Sequence, residues 1–485
     1  MTASTRRIIV LLLAGATALT AAAGSPATAS SGTSASASAG STPAGSTPVD
    51  GSHGGGDPYF PEAGNGGYDV QHYDVDIRYT PADRRFAATA AVRLRTTLAL
   101  RSFSLDLRGL TASRVSIDGR AARFTQAGRE LVITPATPLA RGRTATVTVV
   151  YGGTAGTPTD IEDAPYGWYS FADGAMVVSE PDGSSTWFPV NDIAADKATL
   201  DVSVTVPSGT VAVGNGRQAR PARTVGGWTT WSWSARDPLS PYLATASVGN
   251  FRITTTRGPH NLPIINAVDA DLTAANLATT TASLALQPQM ITFFEGIFGR
   301  YPFEAFGAIV DDDSVGYALE TQTRPVYSRV ARENTVAHEL AHQWVGDSVG
   351  PAAWQHIWLN EGFASYAQWL WSEHRGQKTA DAAFAEVMAI PADDEFWTTV
   401  IADPGPLHLF VDPVYDRGAA TLHALRRTIG DAAFFTLLRR WTTQNAGGSV
   451  TTADLVTLAE QVSGRDLTAF FRTWVYSAGK PAVPS

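Results

Sequence analysis

Two histidines and two glutamates are the residues of this 485-residue chain whose types and spacing could do chemistry. His338 and His342 enclose Glu339 in the order His-Glu-Leu-Ala-His, and Glu361 follows in Trp-Leu-Asn-Glu-Gly-Phe-Ala. Positions i and i+4 of a helix lie on one face, so both imidazoles can bind one ion. A catalytic zinc site has three protein ligands and one open position, and Glu361 supplies the third ligand. Glu339 can reach a water on that ion without binding it. The spacing predicts a catalytic zinc site with one Zn²⁺ per chain.

The composition restricts which ligands and partners are open to the chain. It has no cysteine, which excludes disulfides and thiolate ligands, so a metal must be held by histidine and carboxylate. The formal net charge is -9, and basic residues are not clustered, so a nucleic-acid partner is not expected. Hydrophobic residues make up 44% and aromatic residues 10%, values typical of a globular protein.

The N-terminus has the pattern of an export signal. Arg6 and Arg7 precede an apolar run over 8–23, and small residues at 27–29 form a cleavage site. The sequence therefore predicts a signal peptide over 1–29 and a secreted, extracellular protein. A retained anchor is the alternative, although about sixteen apolar residues are few for a membrane span, which needs about twenty. No later segment is long and apolar enough to cross a membrane, so none is expected after signal cleavage.

After the predicted signal peptide, composition and periodicity divide the first half of the chain into a linker and a β-domain. Residues 30–57 are nearly all Ser, Gly, Ala, Thr and Pro, which cannot bury a core, so they are predicted to form a disordered linker. Beyond it, apolar side chains recur at every second position, as in Tyr73, Val75 and Ile77, and Gly, Pro and Asp interrupt at short intervals. This pattern is typical of half-buried strands joined by turns, and it predicts an all-β domain over 58–251.

The pattern changes in the second half of the chain. Apolar residues follow helical spacing from Leu272 to Gly299 with an interruption at Pro288, and the helix with both histidines is predicted to begin near Glu333. Short β segments lie between these helices, and further helical stretches are predicted over 379–390, 417–443 and 452–477. Residues 252–485 are therefore predicted to form a mainly helical domain with a small sheet, and the fold class is α+β with two domains.

The motifs resemble those of the aminopeptidase N family of zinc peptidases, which also includes leukotriene-A epoxide hydrolases. The segments that carry the resemblance are Gly67–Tyr73, Trp187–Asp192 with Asp196–Thr199, Ser240–Leu243, His338–Asp347, Trp358–Ala364 and Val414–Ala419. The resemblance implies a β-saddle domain followed by a thermolysin-like catalytic domain. Family members usually add a C-terminal helical domain that covers the active site. This chain stops where the family's catalytic domain ends, so a short form with a more open cleft is expected.

The resemblance also implies roles for residues that spacing alone does not single out. The family's Gly-x-Met-Glu-Asn strand binds the substrate's α-amine and pairs with its backbone, and 317–321 aligns with it. Glu320 and Ala318 are then expected to bind substrate, although Tyr and Thr replace the flanking Gly and Asn. Glu180 is similar to a second amine-binding residue of the family. Tyr415 matches a catalytic tyrosine that stabilises the tetrahedral intermediate.

The expected reaction is hydrolysis of the N-terminal peptide bond of peptides with free N-termini, with Glu339 as general base. A thermolysin-like endopeptidase is the main alternative, and it would not need Glu320 or Glu180. An epoxide hydrolase has no separate support in these residues. A non-catalytic binding protein on the same scaffold is a further alternative, although such proteins commonly lose the ligands or the general base.

Overall fold

The computed structural model describes residues 47–483. The predicted signal peptide and residues 30–46 of the predicted linker lie outside the described residues. Within the described range, no helix combines the length and apolar character needed to span a membrane.

The first half of the described chain is built from strands. Their bounds are Val49–Asp50 (β1), Tyr68–Thr80 (β2), Arg85–Thr96 (β3), Leu100–Asp106 (β4), Thr111–Ile117 (β5), Arg120–Ala121 (β6), Arg123–Ala127 (β7), Glu130–Thr134 (β8), Thr144–Thr154 (β9), Gly167–Ser170 (β10), Ala175–Val178 (β11), Ala198–Pro207 (β12), Val211–Gly214 (β13), Arg217–Val225 (β14), Trp228–Leu239 (β15) and Ala246–Gly249 (β16). They form an eight-stranded sheet in the order β14-β15-β12-β2-β3-β9-β5-β6 and two four-stranded sheets, β1-β4-β8-β7 and β10-β11-β16-β13. On β2, Val75 and Ile77 are buried and Asp74 and Asp76 are exposed, which is the alternation that the sequence predicts.

Residues 47–57 correct the predicted extent of the linker. Val49–Asp50 pairs in parallel with β4, and the Asp57 carboxylate accepts a hydrogen bond of 2.8 Å from the backbone N–H of Trp354. Tyr59 also donates to Asp403. Residues about ten positions before the boundary predicted from composition therefore already have defined structure. Backbone pairing needs no apolar side chain, so a Gly- and Ser-rich composition does not exclude it.

The second half combines a five-stranded sheet and a two-stranded sheet with nine α-helices within the described range. Its strands are Phe251–Arg257 (β17), Pro263–Asp269 (β18), Phe306–Asp311 (β19), Ala318–Leu319 (β20), Val326–Ser328 (β21), Gly350–Pro351 (β22) and Ser449–Val450 (β23). Its helices are Ala274–Leu284 (α1), Gln287–Phe298 (α2), Glu333–His342 (α3), Trp358–His374 (α4), Ala380–Ala389 (α5), Gly418–Ile429 (α6), Asp431–Gln444 (α7), Thr452–Ser463 (α8) and Thr468–Trp474 (α9). The β-rich first half followed by this α/β half confirms the predicted fold class.

The five-stranded sheet of the second half lies beside the histidine helix. Its order is β17-β18-β19-β21-β20, with β18, β19 and β21 parallel and β20 antiparallel at one edge. The outer side of β20 therefore has backbone groups with no strand partner in the described part of the chain. Helix α3 follows this sheet, and its buried residues Val336, Ala337, Leu340 and Ala341 belong to the core.

Two glycines allow helix α4 to lie close to the start of α6. A Cβ at Gly362 would lie 2.8 Å from the Cα of Gly418, and a Cβ at Gly418 would lie 2.7 Å from the Cα of Gly362. No side chain other than hydrogen fits at either position without a backbone shift. This contact brings the turn of π-helix over Pro413–Arg417, and with it Tyr415, against the helix that carries Glu361.

Candidate active site

His338, His342 and Glu361 converge as the spacing predicts. The two histidines lie on one face of α3, and Glu361 lies in the first turn of α4. The Nε2 atoms of the two imidazoles are 3.1 Å apart. Glu361 Oε2 is 3.2 Å from Nε2 of His338 and 3.5 Å from Nε2 of His342. The three donor atoms therefore form one compact triangle.

The triangle fits zinc in size and chemistry. Ligand atoms placed tetrahedrally at about 2.0–2.1 Å from Zn²⁺ are separated by roughly 3.3 Å, which is close to all three distances. Two neutral nitrogen lone pairs that face each other at 3.1 Å repel unless a proton or a cation lies between them. A donor set of two nitrogens and one carboxylate oxygen suits zinc and leaves a fourth position open.

Neighbouring groups set the protonation of the three candidate ligands in a way that suits metal binding. Nδ1 of His342 is 3.1 Å from the Val345 carbonyl, which can only accept, so the ring is protonated at Nδ1 and presents a free Nε2. Burial alone would raise the pKa of Glu361, but the charge of His342 and hydrogen bonds from both histidines lower it to about 2. Burial would lower the pKa of His342, yet Glu320 and Glu361 raise it well above its ordinary value. The pocket thus favours a positive charge at this point.

Glu339 faces the same space but is not part of the triangle. It is buried, and one of its oxygens lies within 4.8 Å of ligand atoms of Glu320 and His342. Burial, followed by the charges of Glu320 and Glu361, raises the pKa of Glu339 well above its ordinary value. A carboxylate of raised pKa beside an open ligand position is suited to accept and return a proton.

Glu180 and Glu320 form a second group of acids in the same space. Their oxygens and those of Glu361 lie within 4.8 Å of one another, and their side chains come from the segment after β11 and from the end of β20. Both residues are buried, and Oε1 of each has no hydrogen-bond partner in the described chain. Burial and the charge of Glu361 raise the pKa of Glu320 to about 7, although His342 opposes this. Two buried carboxylates at this separation need a cation between them.

The two departures from the family's strand motif have structural partners. The Tyr317 hydroxyl donates a 2.7 Å hydrogen bond to the Pro165 carbonyl, which ties the start of β20 to the β9–β10 loop. Thr321 Oγ1 donates to the Arg324 carbonyl at 2.5 Å, and Gln343 donates to the Glu320 carbonyl at 3.1 Å. These bonds hold the backbone on both sides of Glu320 while its carboxylate faces the cavity.

Tyr415 lies beside His338 in the same cavity. Its ring stacks on that of His338, with centroids 6.0 Å apart and planes inclined by 26°. Burial, followed by the charges of Glu361 and Glu180, raises the pKa of Tyr415 well above its ordinary value. The hydroxyl therefore stays protonated and can donate a hydrogen bond.

One cavity of about 300 Å³ contains every site residue that the sequence singled out. The structure adds residues that the sequence analysis missed. The complete lining is Asp160, Glu162, Ala164, Glu180, Tyr317, Ala318, Glu320, His338, Glu339, His342, Glu361, Phe410 and Tyr415. Asp160, Glu162, Ala164 and Phe410 come from loops, where neither spacing nor a motif marks them.

Comparison with known proteins gives two family matches. Residues 69–243 match the Peptidase M1 N-terminal domain, and residues 302–474 match the Peptidase family M1 domain. Aminopeptidase N from Lactococcus lactis is 26% identical over 332 residues, which are 61% of this chain and 38% of that protein. Aminopeptidase N from Streptomyces lividans is 27% identical over 311 residues, 58% of this chain and 36% of that protein. The chain thus spans little more than a third of the length of these curated relatives.

Solved structures match over nearly their whole length. An M1 zinc metallopeptidase from Deinococcus radiodurans is 30% identical, with a TM-score of 0.82, and the match covers 89% of this chain and 98% of that one. A mutant of that enzyme was crystallised with a Tyr-Ser-Ala substrate and matches at 29% identity and the same TM-score of 0.82. The two-domain arrangement described above is therefore that of a known group of structures.

Proposed function

This chain belongs to peptidase family M1, and on that premise we propose that it is a zinc-dependent aminopeptidase that releases the first residue of a peptide. The observation that carries the proposal is the buried pair Glu180 and Glu320 beside the zinc-sized triangle of His338, His342 and Glu361. A pair of carboxylates with unpartnered oxygens is suited to bind a primary ammonium, and its position next to the triangle selects the first peptide bond.

Zinc, when bound, polarises the scissile carbonyl and makes a water molecule more acidic. Glu339 accepts a proton from the attacking water at its carboxylate and returns it to the departing amine. Its buried position excludes competing solvent, and its raised pKa brings its basicity closer to that task.

Two further groups position the substrate and stabilise charge. The outer edge of β20, at Ala318, can pair with the peptide backbone as an added strand. The Tyr415 hydroxyl donates a hydrogen bond toward the carbonyl oxygen as negative charge develops there. Fixing the ammonium, the backbone and the carbonyl before reaction raises the rate by orientation.

An endopeptidase is the competing function, and the test must separate it from an exopeptidase. Purified protein would be assayed against aminoacyl reporter amides and against the same amides with an acetylated N-terminus. An aminopeptidase cleaves the free amides and loses most of its activity on the acetylated ones, because acetylation removes the cation between Glu180 and Glu320. Comparable cleavage of acetylated peptides at internal bonds would establish an endopeptidase.

Export is a separate part of the proposal. The pattern of Arg6 and Arg7, the apolar run over 8–23 and the small residues at 27–29 supports removal of a signal peptide and an extracellular location. Mass spectrometry of culture supernatant should find a mature N-terminus near Ser30. Recovery of the intact chain from washed membranes would show a retained anchor instead.

A further inference from the structure

Five aspartates meet at a place remote in sequence from the active-site motifs. Asp269 ends β18 and Asp311 ends β19, and these strands are parallel neighbours with Val268 beside Val310. Because the carboxyl ends of parallel strands lie at one edge of the sheet, the two acids come together there. Asp312 and Asp313 follow β19, and Asp173 comes from the hairpin between β10 and β11. We refer to Asp173, Asp269, Asp311, Asp312 and Asp313 as the aspartate cluster.

One buried oxygen in the cluster has no partner. Asp269 is only 2% exposed. Its Oδ1 accepts a hydrogen bond of 2.8 Å from the backbone N–H of Asp271, whereas its Oδ2 is buried without any partner in the described chain. A buried carboxylate oxygen left in this state costs free energy unless a proton or a cation satisfies it.

The negative charge of the cluster is not neutralised by side chains. Within residues 47–483, no ion pair of 4.0 Å or less includes any of the five aspartates. Arg329 acts on Asp312 and Asp313 only from a longer distance. Burial and the neighbouring aspartates raise the pKa of Asp269 to about 6 and that of Asp311 to about 8. Ionisation of these carboxyl groups is therefore unfavourable unless a cation binds beside them.

The spacing of the oxygens fits one hard cation. Oxygens of Asp173, Asp269 and Asp312 lie within 4.8 Å of one another, as do oxygens of Asp311, Asp312 and Asp313. Two ligands on opposite sides of Ca²⁺, at about 2.3–2.6 Å from it, are roughly 4.6–5.2 Å apart, so the three oxygens of either group can share one ion. Asp312 belongs to both groups. The donors are all oxygens, without imidazole, which favours calcium over zinc. Magnesium demands stricter octahedral geometry and keeps more of its waters.

We propose that the aspartate cluster is a calcium site that fastens the β10–β11 hairpin to the sheet of the catalytic half. The consequence reaches the active site, because β11 ends at Val178, two residues before Glu180. A cation held between Asp173 and the ends of β18 and β19 keeps that hairpin, and the segment that follows it, in one position. Calcium binding at the aspartate cluster requires neither the zinc triangle nor the proposed peptidase activity, so the two proposals can fail separately.

The test is a calcium titration of the zinc-loaded protein after desalting. Thermal unfolding would be followed with CaCl₂ up to 10 mM, with MgCl₂ and with KCl at matched ionic strength, and calorimetry would count the calcium bound. We expect one Ca²⁺ per chain with Kd of about 10⁻⁴–10⁻³ M, the range of extracellular calcium modules. The unfolding midpoint should rise saturably by about 2 °C for a chain of this size.

Three variants make the result specific. Asp173→Asn changes an exposed hairpin residue, so the fold should persist while the calcium response is lost. Asp269→Asn removes a buried charge, so in the absence of calcium it should unfold at the same temperature as wild type or at a higher one. Calcium should not raise its unfolding midpoint. Asp76→Asn, on the exposed face of β2, should keep the full response. A midpoint shift no greater than that in KCl, or full responses in Asp173→Asn, would overturn the proposal. If Asp269→Asn fails to fold, Asp173→Asn alone decides.

Discussion

Replacing Glu320 by glutamine tests how the cavity selects a free N-terminus. Glutamine keeps the size of the side chain and removes its charge, so the hydrogen bonds around the Glu320 backbone should persist. Wild type presents two buried carboxylates, Glu180 and Glu320, to the ammonium of the substrate. The variant presents one, and the ammonium loses one of its two charged partners.

The magnitude follows from the burial of this pair. Removing one partner of a buried charge pair costs about 2–5 kcal/mol, and the lower part of that range applies because Glu180 remains. A cost of about 2.8 kcal/mol corresponds to a fall in kcat/KM of about 100-fold on a free peptide. An acetylated peptide has no ammonium, so the same variant should change its slow hydrolysis less than about threefold.

The assay compares wild type and Glu320→Gln on one pair of substrates, free and acetylated. Zinc content is measured in both proteins, because Glu320 lies within 4.8 Å of His342 and the comparison requires equal metal. Glu62→Gln, an exposed change of the same type, is the control and should match wild type on both substrates. Equal losses on the free and the acetylated peptide would refute the reasoning, since the effect would then not involve the ammonium.

Four other changes test the remaining parts of the site. Glu339→Gln should retain zinc while its kcat falls by about 100-fold or more. Zinc content and kcat would be measured on the same sample. Loss of metal would show that Glu339 is a ligand rather than a base. Tyr415→Phe should lower kcat by about 10²–10³-fold with little change in KM, and an unchanged kcat would exclude it as the donor to the carbonyl oxygen. Removal of zinc by a strong chelator should abolish turnover, and one equivalent of Zn²⁺ per chain should restore it. Full turnover by the metal-free protein would show that catalysis does not need the predicted zinc site. Acids, and no Lys or Arg among the described residues, line the cavity, so arginyl amides should be cleaved faster than the isosteric, neutral citrullyl amides. The double variant Asp160→Asn with Glu162→Gln should reduce the ratio of these two rates. An unchanged ratio in the double variant would exclude Asp160 and Glu162 as determinants of this preference.

Much of the site was predictable because its chemistry depends on local regularity. A four-residue spacing on a helix puts His338 and His342 on one face wherever the helix lies in the fold. The ligand number of a catalytic zinc site pointed to Glu361 as the third ligand. The resemblance to a known family supplied Tyr415, Glu320, Glu180 and Ala318, and the structure brings all five residues into one cavity. The roles of these residues remain predictions.

The ends of two helices were not predicted from the apolar periodicity. The apolar periodicity predicts helical stretches over 417–443 and 452–477, whereas the structure ends α6 just before Gly430 and α8 just before Gly464. Both glycines have positive φ, 83° and 66°, a conformation that costs other residues free energy. A glycine that follows basic or polar helix residues is a known stop signal, so the sequence did contain this information.

The sequence by itself determined the strand alternation and the helix face that carries the two histidines. Because the chain has no cysteine, it also restricted the metal ligands to nitrogen and oxygen donors. Only the tertiary structure decided that Asp160, Glu162 and Phe410 line the cavity, that Val49–Asp50 joins a sheet, and that Asp173 lies beside Asp269 and Asp312. The reason is physical. Periodicity and composition report the neighbours of a residue along the chain. These contacts instead join loops and strand ends that are far apart in sequence, 51 positions for Val49 and Leu100 and 96 positions for Asp173 and Asp269. Such contacts are specified by the packing of whole sheets and helices, because no short segment carries the free energy that holds them.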